Sequence, residues 1–315
     1  MVVASPVLPG TAIRARRPSS RRRAQGFGGF FRSLPFTLPA FVLVGLFLLY
    51  PLCRAVYLSF MNYRGFGAPR FVGLSNYVQL FTSDQVFRGA LTNTLVWTVA
   101  SAVMPMILAL PLAVVLNSGV RGRTTFRGAF YLPAVLSAII IGMSWNFIYA
   151  SDTGFLNQFL SAIGLPGLRH DWLGDPNTAL YAVLVASIWA GTGTGMVLFI
   201  AGLQSVAPEL VEACRIDGGN RWQVFWNVEL PALRPTVSLV VLLSIIAGLK
   251  SFDLVAAMTG GGPGGSSQIL AYYSWTLAIT NHNYGLGSAV AVILLLLSIV
   301  FVIPYVRTAL QGNSR

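Results

Sequence analysis

The sequence predicts an all-α integral membrane protein with six transmembrane helices and both termini in the cytoplasm. Three observations predict it. Only 10% of residues are charged and 55% are hydrophobic, whereas a soluble domain carries roughly 25% charged residues. Six apolar segments reach the roughly 20 residues needed to cross a bilayer. Fifteen of the 20 arginines lie in the termini and alternate loops, on one side of those spans.

Residues 1–35 form a basic tail with Arg14, Arg16, Arg17, Arg21, Arg22, Arg23 and Arg32. It is expected to be largely disordered, to orient the first span and to touch anionic lipid. The formal net charge of +12 therefore speaks for membrane lipid and against nucleic acid. The first apolar run is too long for a signal-peptide core, so it is expected to stay as an anchor. Residues 36–315 form the transmembrane domain, with spans near 36–60, 90–117, 126–149, 179–204, 232–258 and 286–310.

The loop at 118–125 with its flank, the loop at 205–231 with Arg234 just past it, and the C-terminus hold the remaining arginines of the basic side. By the positive-inside rule these segments are cytoplasmic. The loops at 61–89 and 150–178 then face outward and are expected to form small interfacial helices. Thr259-Gly260-Gly261-Gly262-Pro263-Gly264-Gly265 cannot continue a helix. Cys53 and Cys214 fall on opposite sides, so no disulfide is expected. His170 and His282 sit in separate loops and read as solvated residues, with no metal site.

The loop at 205–231 is more structured than a linker. Pro208 suits the first turn of a helix, and Glu209 and Glu212 complement its positive end. That helix runs to about Asp217, where Gly218-Gly219 supplies the left-handed residue that ends it. Asn220 caps a second helix carrying Trp222, Val224, Phe225, Trp226 and Val228, which is expected to stop before Pro231. Two short helices at a glycine corner make a compact knob, which reads as a docking element for a cytoplasmic protein or as an interfacial helix resting on lipid headgroups.

Glu212-Ala213-Cys214, Gly218, Val228 and Leu230-Pro231 have the spacing of the EAA loop. The segment resembles that loop in permease subunits of binding-protein-dependent ABC importers. Cys214, Gly219 and Val228 replace the alanine, alanine and isoleucine usual there. Further stretches resemble the carbohydrate branch, and its first permease in maltose and glycerol-phosphate importers. These are Phe71-Val72-Gly73-Leu74-Ser75-Asn76-Tyr77, Asn93-Thr94, the stretch from Phe126 to Pro133, and Phe252-Asp253 with Met258-Thr259-Gly260-Gly261-Gly262-Pro263.

The resemblance implies a type I ABC importer permease fold in a bacterial plasma membrane. It implies a second permease, two copies of a cytoplasmic ATPase that hold the ATP and Mg, and an extracytoplasmic sugar-binding protein. No cofactor is expected on this chain. Glu212, Ala213, Asp217, Gly218, Gly219, Leu230 and Pro231 would couple to the ATPase. The resemblance also supports a sugar path along Trp189, Gly191 and Thr194 of the fourth span and Ser244, Gly248 and Ser251 of the fifth. The last three fall at i, i+4 and i+7, on one helix face. Lys250, the single lysine in the chain, and Asp253 stand three apart and are expected to pair, as a structural lock or as a substrate contact or gate.

Gly191-x-Gly193-x-Gly195 lies in an apolar span with no preceding strand, so it is no nucleotide loop. No Walker sequence occurs, and the chain is not expected to be an enzyme. An ion-coupled secondary transporter of a small polar solute is the alternative, which would want a midplane carboxylate network. A membrane enzyme would need clustered His, Asp or Glu.

Overall fold

A computed structural model describes residues 37–312, with side chains through Tyr305. The arginine tail lies outside the described residues. Four helices are long and apolar enough to cross a membrane: α1 (Thr37–Ser59), α3 (Gln85–Asn117), α7 (Ala179–Gln204) and the Tyr284–Tyr305 part of α13 (Tyr284–Gly312). Two bent pairs bring the number to six if each pair is one span. These are α4 (Arg123–Val135) with α5 (Ala138–Tyr149), bent by 102°, and α9 (Arg221–Ala232) with α10 (Arg234–Leu249), bent by 66°. Helix α1 contains a wide π turn at Gly45–Leu49 and is exposed along nearly all its length.

The third expected span, 126–149, is thus not one straight helix. Leu136 and Ser137 take extended conformations, and the Ser137 side chain caps α5 by accepting from the Ile140 N–H at 3.4 Å. A hydroxyl cap inside an apolar run starts a new helix axis. The fifth, expected over 232–258, stops at Leu249. Lys250 N–H reaches the Ile246 carbonyl and Ser251 N–H turns back to Gly248. A separate helix α11 (Asp253–Met258) follows.

The loops also hold structure. The all-α expectation misses a two-stranded ladder, β1 (Met61–Asn62) with β2 (Arg70–Phe71), paired Met61↔Phe71. Gly65 and Gly67 have positive φ and let the chain reverse between the strands. Helix α2 (Ser75–Thr82) packs beneath it, where the Asn76 amide donates to the Ser59 and Met61 carbonyls at 2.9 Å each. Helix α6 (Phe155–Ala162) lies in the 150–178 loop. After α11 the chain turns through Gly260, Gly261, Gly264 and Gly265, all at positive φ. It then enters α12, which comprises Leu270–Trp275 and the π turn Thr276–Thr280.

Three apolar clusters hold residues 52–305 together. One joins Trp97, Ile141, Val183 and Val255; another joins Ala109, Met196, Phe199 and Leu233; the third joins Leu80, Phe87, Leu270 and Val290. Small residues let the helices cross closely. A Cβ at Gly193 would stand 2.3 Å from the Phe130 carbonyl oxygen, and one at Gly195 3.1 Å from Ala109. Polar clasps fix the 259–270 turn. The Asn93 amide donates to the Ser266 and Gln268 carbonyls at 2.7 and 2.8 Å. The Leu270 N–H donates to the Thr94 hydroxyl at 2.8 Å. Burial raises the pKa of Tyr273, whose hydroxyl donates to Asp84.

Candidate functional site

The segment 205–231 folds as two helices at a glycine corner. Helix α8 spans Pro208–Ile216, with Pro208 in its first turn and Asp217 as its C-cap. Gly218 has φ +83°. Its N–H reaches the Arg215 carbonyl at 3.0 Å, and the Gly219 N–H reaches the Cys214 carbonyl at 2.9 Å. This pair of bonds is a Schellman end, in which only the left-handed residue closes both rings. Gly219 is constrained differently: a Cβ there would lie 2.6 Å from the Cys214 carbonyl oxygen.

Asn220 and Gln223 then form a reciprocal capping box. The Asn220 side chain accepts from the Gln223 N–H at 2.9 Å, and the Gln223 side chain accepts from the Asn220 N–H at 2.8 Å. The second helix does not stop before Pro231 as expected. A π turn at Phe225–Glu229 carries it onward to Ala232. In that wide turn the Leu230 N–H bonds to the Phe225 carbonyl. Pro231 follows at the start of the next α turn, where its missing N–H costs little.

The two helices are anchored unequally. Val224 is buried, and Phe225 and Leu230 pack against the cluster formed by α3, α7 and Leu233. Helix α8 has no buried residue, and Glu212, Ala213 and Asp217 are all exposed. Ile216 is 85% exposed, Trp222 68% and Trp226 48%. Trp222, Phe225 and Trp226 form a ring cluster with centroids 5.5–6.3 Å apart. Grooves flank α9 on two sides. One of about 570 Å³ is lined by Val114, Trp222 and Leu230; one of about 660 Å³ is lined by Trp226, Leu230, Pro231 and Arg234. An exposed helix and exposed tryptophans on an anchored base make an interaction surface.

The residues expected to line a sugar path do not form one stripe. Trp189 stacks edge-on to Trp145 at 5.8 Å and faces a groove of about 1000 Å³ between α3, α4 and α7. That groove is apolar, and its Thr192 hydroxyl is spent on the Ile188 carbonyl at 2.7 Å. Gly191 and Thr194 are exposed on a different face of α7. Five residues of helix put Thr194 about 140° around from Trp189.

Gly248 is buried, with a Cβ placed 3.1 Å from Ser101, so it is a crossing point of α10 and α3. Ser244 and Ser251 are half-buried, and Ser251 lies past the helix end. The expected i, i+7 relation to Ser244 therefore fails, because it assumes an unbroken helix.

Lys250 and Asp253 do not form the expected lock. Both are exposed, and they sit on opposite sides of the break between α10 and α11. Among the described residues the acid–base contact within 4.0 Å is that of His170 Nε2 with the Asp175 carboxylate, at 2.8 Å. His170 is thus a loop residue held by a partner rather than a freely solvated one. Hydrogen bonds from the backbone and side chain of Asn177, with His170, hold the Asp175 carboxyl below its usual range.

An aromatic cluster near the break joins Phe252, noted in the sequence only for its motif, to two rings that are not singled out there. Phe252, Tyr272 and Trp275 have ring centroids 5.5–5.8 Å apart, and Trp275 is 41% exposed. Phe252 is some 20 residues from the other two, so no local pattern reveals it.

Residues 101–311 match the family described as binding-protein-dependent transport system inner membrane component. The chain belongs to this family. Among its relatives, a probable ABC transporter permease protein of Pyrococcus horikoshii is 35% identical over 89% of this chain and 96% of its own length. The multiple sugar-binding transport system permease protein MsmF of Streptococcus mutans is 36% identical over 83% of this chain and 89% of its own. The fold is similar to that of a chain in the crystal structure of a bacterial ABC transporter for import of the acidic polysaccharide alginate. There the TM-score is 0.76, at 23% identity, over 90% of this chain and 98% of that one. As an inner membrane component of this family, the chain is a multi-pass membrane protein and a transport subunit.

Proposed function

We propose that this inner membrane component is the translocation subunit of an ATP-driven sugar importer. It forms half of the substrate pathway, with six spans and cytoplasmic termini; α4 and α5 count as one span, and α10 crosses with α9 at the cytoplasmic surface. The arginine distribution supports that orientation. A second permease completes the pathway, two cytoplasmic ATPases supply the work with their ATP and Mg, and an extracytoplasmic binding protein delivers the sugar. MsmF is named as a multiple sugar-binding transport permease, and its identity over most of both chains supports the substrate class.

One observation carries the coupling role: α8 has no buried residue while α9 is tied to the bundle through Phe225 and Leu230. A partner that grips Glu212, Ala213 and Asp217 can turn α8 as a lever. The Gly218 corner, with Gly219 closing it, sets the angle. Leu230 and Pro231 carry the motion into α10. Gly191, Thr194, Ser244 and Ser251 remain path candidates on exposed or half-buried faces.

The test is co-purification of the ATPase with this chain from membranes, followed by sugar uptake in vesicles. Glu212→Ala should weaken co-purification. Gly218→Val places a β-branched residue at a left-handed φ and should leave ATP hydrolysis running while uptake falls. ATPase binding and uptake at the wild-type level in both variants would overturn the docking assignment. Uptake that ignores ATP but collapses with an uncoupler would favour an ion-coupled transporter.

A further inference from the structure

We propose that the groove at the elbow between α9 and α10 binds one anionic phospholipid of the cytoplasmic leaflet, with its phosphate on Arg234 and an acyl chain along the groove. This goes beyond the importer reading and rests on it only for the placement of α9 at the cytoplasmic surface.

Shape is the first argument. Arg234, Val237, Ser238 and Val241 stand at i, i+3, i+4 and i+7, so they share one face of α10. That face lines the groove of about 660 Å³, together with Met106 of α3, Trp226 of α9 and the end of α13. The volume is that of a small-molecule site. Arg234 begins α10 and is exposed. Val241 lies seven residues further, a rise of about 10 Å. The polar layer on each side of a bilayer is about 6 Å thick. An arginine in that layer therefore puts Val241 at the depth of the acyl chains. A polar mouth above an apolar depth is the profile of a phospholipid.

The elbow is the second. Helices α9 and α10 are bent by 66°, so α9 lies near the membrane plane where α10 crosses the bilayer. Trp222 and Trp226 on α9 are 68% and 48% exposed. Tryptophan rings favour the boundary between headgroups and acyl chains, which is where this orientation holds them. Leu230 and Pro231 line the same groove. A lipid seated there braces the joint through which motion of α9 reaches α10.

Charge is the third. All 9 acidic side chains of the sequence, from Asp84 to Asp253, lie among the described residues. None of them comes within 4.0 Å of Arg234. Residues 1–36 and 306–315 carry arginines and no Asp or Glu, so they supply no counter-charge either. The Ser238 hydroxyl, one turn along from Arg234, has no hydrogen-bond partner among the described residues. A phosphodiester offers what both groups lack, a negative charge and acceptor oxygens. The cytoplasmic leaflet carries the anionic lipid, and basic pockets between transmembrane helices on that side hold lipid headgroups. An arginine that only snorkels to water needs no groove beneath it.

The test uses the complete importer in nanodiscs of phosphatidylcholine with a minor share of phosphatidylglycerol. Lipid that stays on the released complex is counted by native mass spectrometry. The wild type should retain phosphatidylglycerol in preference to phosphatidylcholine. Arg234→Gln should retain about tenfold less of it, the effect of losing one charge-assisted hydrogen bond. Arg234→Lys keeps the charge and should retain more than Arg234→Gln. Val241→Trp fills the groove, leaves the charge in place and should also lose the lipid. Arg221→Gln, at the groove on the other flank of α9, should retain it. Raised salt should strip the lipid from the wild type. Basal ATP hydrolysis of Arg234→Gln in pure phosphatidylcholine should equal that of the wild type.

Equal retention by the wild type and Arg234→Gln would overturn the proposal. So would retention with no preference for phosphatidylglycerol, or an equal loss in Arg221→Gln, which would make the effect one of net charge. No retained lipid at all would mean that the partner permease or water covers the groove, and would overturn it too. Where Arg234→Gln fails to assemble, Val241→Trp and the salt series decide. The lipid count needs no transport. Failure of ATP to drive uptake would therefore remove the importer reading and leave the site standing. External maleimide labelling at position 217 would overturn the cytoplasmic leaflet as the source of the lipid.

Discussion

Gly191, Gly193 and Gly195 look alike in the sequence and differ in the fold. A Cβ at Gly193 would meet the Phe130 carbonyl at 2.3 Å, whereas one at Gly191 would meet nothing within 4 Å. Gly193→Ala should therefore destabilise the detergent-solubilised protein by about 1–3 kcal/mol, the cost of overpacking. Gly191→Ala should stay within about 0.5 kcal/mol of wild type. Thermal unfolding of both variants checks this, and equal melting temperatures would contradict the crossing at Phe130. The identity of residue 219 has a similar local cause, since the Cys214 carbonyl leaves no room for a methyl. Residue type was legible in these cases, but the neighbour that decides each cost comes from another turn or another helix.

At the scale of the element, caps explain what periodicity cannot. The Asn220–Gln223 box was half legible: Asn220 reads as a cap, while the return bond from Gln223 appears only in the structure. Asn220→Ala should cost about 1 kcal/mol of helix stability. The expected outcome is intact ATP hydrolysis with reduced uptake, measured side by side in proteoliposomes. The bounds 179–204 of α7 follow from its apolar run alone. The breaks at Ser137 and at Lys250–Phe252 do not, because each lies inside or against a run that reads as continuous hydrocarbon. The Lys250–Asp253 pair was expected on the premise of one continuous helix. Once the chain leaves the helix at Lys250, spacing no longer fixes which side chains meet.

For the whole molecule, orientation rests on where the arginines lie. Single cysteines in a background free of Cys53 and Cys214 test it on intact cells with a membrane-impermeant maleimide. Positions 66 and 153 should react, and positions 119 and 217 should not. The reverse pattern would invert the topology.

The sequence by itself determined the membrane class, the family, the length of most spans and the glycine corner of the 205–231 segment. Each is local, set by apolar length, charge distribution or the backbone freedom of one residue. Only the tertiary structure decided which glycines are crossing points and that Trp189 and Thr194 face apart. It alone gathered Phe252, Tyr272 and Trp275 and, among the described residues, left Lys250 and Asp253 unpaired. Those outcomes depend on helix bends and on contacts between residues far apart in the chain, which no periodicity along a single helix contains.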